Sequence, residues 1–108
     1  MRTFYRVALA NPPSNMDFTS QQALGRRSTI LNPELSRLAD GISVFSTEGQ
    51  ARRKARQYPW LGSFISRLDI VDHNPIRIEK TLGRSHHTLW GTPRQLAACV
   101  VATWPIEG

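Results

Sequence analysis

Cysteine is nearly absent from this chain. Its 108 residues include one, Cys99, so a disulfide framework within the chain is excluded. Cys99 lies in an apolar run, where a small hydrophobe belongs in the core, and a dyad with His87 would need the fold to bring the two together. No Cys-x-x-Cys and no His-x-x-x-His pair occurs. Adjacent His86 and His87 point to opposite faces if they lie in a strand, so no metal-ligating set is read here. Neither Gly-x-x-x-x-Gly-Lys nor Gly-x-Gly-x-x-Gly is present, which removes the common phosphate loops. No apolar run is long enough to cross a bilayer. The start, MRTFYRVALANPP, is interrupted by arginine and Asn-Pro-Pro, too early for the apolar core of a signal sequence. A cytoplasmic protein without membrane contact is the expectation. Internal repeats and low-complexity segments are also missing.

Acids are scarce too. Eight Asp and Glu face fourteen Lys and Arg, for a net charge of +6, and twelve of the fourteen are arginine. Arginine suits flat, bidentate partners such as phosphate and carboxylate. The excess points to a polyanionic partner: nucleic acid, a dinucleotide or an acidic protein. The bland reading is charge that serves solubility alone.

What is present reads as a single α+β domain, 1–108. An antiparallel or mixed sheet of about six strands is expected, with two or three short helices. Residues 3–10 form a first strand. In it Tyr5, Val7 and Leu9 share one face, and Phe4 and Arg6 share the other. An arginine there is costly unless it pairs with an acid at the core's rim or meets an anion. Asp17 reads as the cap of a short helix over 18–24, and Asn32 as the cap of a helical turn over 33–39, with loop between. Further strands are expected over 62–71, 76–81, 87–90 and 99–104. Thr92-Pro93 starts another short helix.

The stretch 41–60, GISVFSTEGQARRKARQYPW, carries most information: strand, cap, basic helix, stop. Ser46 and Thr47 offer hydroxyls to the first free N–H groups of the helix, and Thr47 with Gln50 has capping-box spacing. Ala51, Ala55 and Tyr58 fall on one helical face. Arg52, Arg53, Lys54 and Arg56 cover much of the rest, with Tyr58 and Trp60 behind them. Such a helix either binds nucleic acid or an acidic protein, or is simply a solvated face with Trp60 in the core.

Arg6, the Ser46-Thr47 pair, Glu79 and the His86-His87 pair place one polar group on each of several strands. A sheet that splits open at its middle would gather them around a cleft. The order of these features resembles a minimal ADP-ribosyltransferase domain. Tyr5-Arg6 resembles that family's first motif. Gly41-Ile42-Ser43-Val44-Phe45-Ser46-Thr47, followed by Ala51 and Ala55, resembles its second. The resemblance implies an NAD-like dinucleotide as substrate. Arg6 would contact phosphate, Ser46 or Thr47 would position Arg6 or a ribose, and His86 would contact the ligand. Glu79 would be the catalytic acid, unless His87 stands in its place, which implies altered chemistry or binding without catalysis. The rival expectation is a non-enzymatic basic adaptor using the helix around residues 48–58.

Overall fold

The computed structural model describes residues 1–20, 37–38, 40–81, 83 and 85–106. Its described elements are strands β1 (Arg2–Ala8), β2 (Ile42–Phe45), β3 (Phe64–Ile70), β4 (Arg77–Lys80), β5 (His86–Trp90) and β6 (Val100–Pro105). Helix α1 (Glu48–Gln57) lies between β2 and β3, and helix α2 (Pro93–Ala97) between β5 and β6. Single 3-10 turns cover Asn15–Phe18 and Pro59–Leu61. The strands form one six-stranded sheet in the order β4-β5-β2-β1-β3-β6. Every pairing is antiparallel, so the fold is α+β.

Both faces of the sheet are covered, and strand alternation assigns each residue to one of them. On the first face Phe4, Ile42, Val44, Leu68 and Leu89 pack with Phe18 of the 3-10 turn and Leu96 of α2. On the second, Val7 and Ile65 pack against Ala51 and Ala55 of α1, with Tyr5, Phe45 and Trp104 around them. The small alanines let the helix approach the strands closely. Thr47 caps α1, accepting from the Gln50 amide at 3.2 Å. Thr92 and Gln95 form a reciprocal capping box on α2, at 2.9 and 3.1 Å.

Several expectations shift. Asp17 does not cap a helix beginning at Phe18. It sits inside the 3-10 turn and accepts from the Ser14 amide at 3.0 Å. The remainder of the helix expected over 18–24, apart from residues up to 20, lies outside the described residues, as does the loop over 28–33. Of the turn expected over 33–39, only Arg37 and Leu38 are described, and both are helical. Cys99 is buried as expected, but it precedes β6 rather than belonging to it. Trp60 is not core: it is 72% exposed.

The pairing of β1 is lopsided. It pairs with β3 along its whole length, from Arg2↔Ile70 to Ala8↔Phe64. With β2 it pairs only at Tyr5↔Phe45. The sheet therefore opens between β1 and β2 on the far side of that one pair, where Arg6 stands.

Candidate functional site

Arg6 fills the opening. Its Nε donates to the Asp17 carbonyl at 2.6 Å and its Nη1 to the Ser43 carbonyl at 2.7 Å. The guanidinium thus bridges the 3-10 turn and β2 where the β1–β2 ladder has stopped. Neither acceptor carries a formal charge. The Asp17 carboxylate is occupied elsewhere, taking the Leu9 amide at 2.7 Å and the Ser14 amide at 3.0 Å. Desolvation lowers the Arg6 pKa to about 10, and the nearby Asp17 charge offsets only part of that. Nη2 has no hydrogen-bond partner among the described residues and is reached by solvent.

The opening is the floor of a cavity of about 540 Å³, within the range of about 300–1,000 Å³ usual for small-molecule sites. Arg6, Asp17 and Ile42 come to it from the first face of the sheet; Val7, Phe45 and Lys54 come from the second. It therefore runs through the break in the sheet. Its mouth is apolar. Leu9, Met16 and Trp60, which are 55, 58 and 72% exposed, all line it. Among its described lining residues Asp17 is the only acid, against Arg6 and Lys54.

His86 is the titratable group on the β5 side. Its Nδ1 lies 3.1 Å from the Thr81 carbonyl and 3.0 Å from the Thr81 hydroxyl; a proton on Nδ1 would satisfy the carbonyl and leave Nε2 as an acceptor. Nε2 makes no hydrogen bond among the described residues and is open to solvent. Desolvation, with Lys54 and His87 nearby, holds the imidazole below its usual pKa, so it is neutral at pH 7.

A smaller pocket of about 230 Å³ adjoins this cavity and shares Phe45, Lys54 and His86 with it. Its other lining is polar: Gln50, Arg53, Gln57, Gly83 and Ser85. A third hollow, about 490 Å³, lies beneath Arg56 between the C-terminal part of α1 and Pro105-Ile106. It gathers no comparable set of polar groups.

The structure thus brings together only part of the set expected from the sequence. Arg6 and His86 meet in one cavity. Ser46 and Thr47 stay outside it: the Ser46 hydroxyl bonds to that of Ser85 at 3.3 Å, and Thr47 caps α1. The group that holds Arg6 on β2 is the Ser43 carbonyl instead. Glu79 lines none of the three cavities. It takes a two-pronged bond from Arg37, at 2.8 and 3.0 Å, which holds its carboxyl below the usual range. His87 lies on the opposite face of β5 from His86, buried, with its ring 4.9 Å from that of Phe4. The basic helix divides its charge. Arg52 is tied to Glu48 at 2.7 Å and to the Ile106 carbonyl at 2.6 Å. Arg53 and Lys54 face the polar pocket, and Arg56 faces the third hollow.

Lining groups that the sequence reading did not assign to a site include Leu9, Met16, Ser43 and Phe45. Trp60 was legible only as an aromatic beside cations. Among the described residues, no group of three His, Cys, Asp or Glu side chains is placed to hold a metal ion. No helix of the described residues is long and apolar enough to cross a membrane. Comparison of the chain with protein-family models, curated proteins and solved structures found no match.

Proposed function

We propose that the cavity between β1 and β2 binds a dinucleotide of the NAD type and that the domain acts as an ADP-ribosyltransferase-like protein. One observation carries this reading. A desolvated guanidinium is held in the floor of a cavity by two neutral carbonyls, with Nη2 left over. A half-buried, desolvated cation without a bonded carboxylate is costly on its own, and an anion that enters the cavity relieves that cost. Phosphate oxygens fit the free edge of the guanidinium, and Lys54 adds charge. The apolar mouth suits flat rings: Trp60, Met16 and Leu9 offer a surface on which a base can stack. Neutral His86 has the protonation state of a general base. In the transfer, an acceptor's heteroatom bonds to the ribose C1′ and gives its proton to His86 Nε2. The glycosidic bond breaks, and its electron pair leaves on the nicotinamide nitrogen.

A second reading, binding without transfer, is favoured by the position of Glu79. No uncommitted carboxylate is present among the described lining residues to steady a developing sugar cation. Calorimetric titration with NAD tests the binding that both readings share. We expect saturable binding that weakens at least about tenfold in Arg6→Lys, because a point charge replaces the planar fork. Absence of binding by the folded protein would remove the proposal. Nicotinamide release, followed by chromatography, separates transfer from binding alone.

A further inference from the structure

The small polar pocket beside the cavity is a separate piece of equipment. It is lined by Arg53 and Lys54, by the amides Gln50 and Gln57, and by Ser85, and it carries no acid among its described lining residues. Neither Arg53 nor Lys54 is held by a carboxylate among the described residues: the described ion pair of α1 joins Arg52 to Glu48. Lys54 instead leans over the Tyr58 ring, 4.7 Å from its centre. The pocket meets the Arg6 cavity at Phe45, Lys54 and His86. His86 therefore stands on the boundary between the two, its Nδ1 fixed and its Nε2 open.

We propose that this pocket is the acceptor-side subsite and that the acceptor is single-stranded nucleic acid. The inference rests on the dinucleotide reading for the transfer step, though not for the docking itself. Two unpaired cations in one recess match backbone phosphates. Gln50 and Gln57 each offer both a donor and an acceptor, the equipment for base edges that are not already paired. Tyr58, under the Lys54 ammonium, and the Phe45 ring edge onto His86, at 5.4 Å between centroids, add aromatic surface nearby. An acidic peptide would find the same cations but no use for the two amides and the rings together. Docked there, a hydroxyl or ring nitrogen of the strand is brought to His86 Nε2 on the side facing the dinucleotide.

The test uses the full chain and a fluorescein-labelled single-stranded oligonucleotide of mixed sequence, titrated by anisotropy at several salt concentrations. Arg53→Gln should lower the affinity about tenfold and reduce the salt slope by about one. Arg56→Gln removes the same charge from the same helix, but from the hollow on its other side, and should change the affinity less than about twofold. Equal losses in the two variants would overturn the proposal, because binding would then follow diffuse helix charge. So would an oligonucleotide affinity untouched by Arg53→Gln, or a phosphopeptide of equal charge that binds as tightly. NAD titration of the same preparations reads the dinucleotide site separately: its failure alongside Arg53-dependent oligonucleotide binding would sink the transferase reading and leave the subsite as a nucleic-acid site.

Discussion

At the residue scale, the same residue type does different work according to what surrounds it. Arg52 spends its donors on Glu48 and a carbonyl, whereas Arg6 retains an uncommitted nitrogen in a desolvated site. Trp60 makes a comparable point about apolar side chains. At 72% exposure it contributes little to the core, so Trp60→Ala should change stability by less than about 0.5 kcal/mol. If its ring stacks on a base, the same substitution should cost about 1–3 kcal/mol of dinucleotide affinity. Thermal melts paired with NAD titration check both halves, and an unchanged affinity would take Trp60 out of the site. His86 carries a pH prediction. Its folded pKa lies below the ordinary 6.5, chiefly through desolvation, so the native state binds fewer protons than the unfolded chain just below that value. The stability this group contributes is complete above pH 6.5 and is lost as pH falls through the folded pKa. Melting temperature should therefore fall on acidification more steeply in the native protein than in His86→Gln, and nicotinamide release should fall over the same range. Lys54 and His87, the other groups acting on this ring, are present in both proteins.

At the element scale, the opening between β1 and β2 is maintained by short structures at its ends. The 3-10 turn over Asn15–Phe18 is latched to β1 through Asp17, whose carboxylate takes the Leu9 amide and whose carbonyl takes Arg6. The turn over Pro59–Leu61, which carries Trp60 and Leu61 to the mouth, is followed by Gly62 at φ 149°. A Cβ at Gly62 would run into the Ala8 carbonyl, so the end of this turn and the end of β1 approach as closely as they do only because this residue is glycine. Gly62→Ala should destabilise by more than about 1 kcal/mol, seen as a drop of roughly 4–8 °C in melting temperature. It should also weaken NAD binding beyond the loss in Trp60→Ala, since it displaces the whole turn. A melting temperature equal to that of the native protein would show that the turn has room to adjust.

At the scale of the whole molecule, the two-sided sheet reconciles a small chain with a cavity through its middle. Each face has its own cluster of buried side chains, so the sheet is held from both sides although β1 and β2 share one pair. The +6 charge is not spread evenly in its effect. Arg37 and Arg77 share the Glu79 carboxylate, and Arg67 lies beside Asp69, whereas Arg53 and Lys54 face one recess with no acid among its described lining residues. The overall excess should make nucleic-acid binding weaken with salt in every variant. Only the local arrangement predicts that Arg53 and Arg56 differ, which is why that pair is the discriminating comparison.

Much of the fold was legible along the chain because it is written in local chemistry. Alternation gave six strands close to their observed bounds, and Thr47, Thr92-Pro93 and the Ala51/Ala55 spacing gave the two α-helices, their starts and a buried face. The same local logic set Arg6 on the face shared with Phe4 and separated His86 from His87. Non-local facts decided the site. Sequence spacing carries no record of which strands become neighbours, and so could not show that β2 lies beside β1 while β4 lies at an edge, which puts Glu79 with Arg37 and away from Arg6. Nor could it show that Trp60, apolar and next to a proline, would be left at the mouth of a cavity. Which residues alternate is fixed by the geometry of a single strand; which of them meet is fixed by strand order and by where the ladder between β1 and β2 gives out, and both are properties of the assembled sheet.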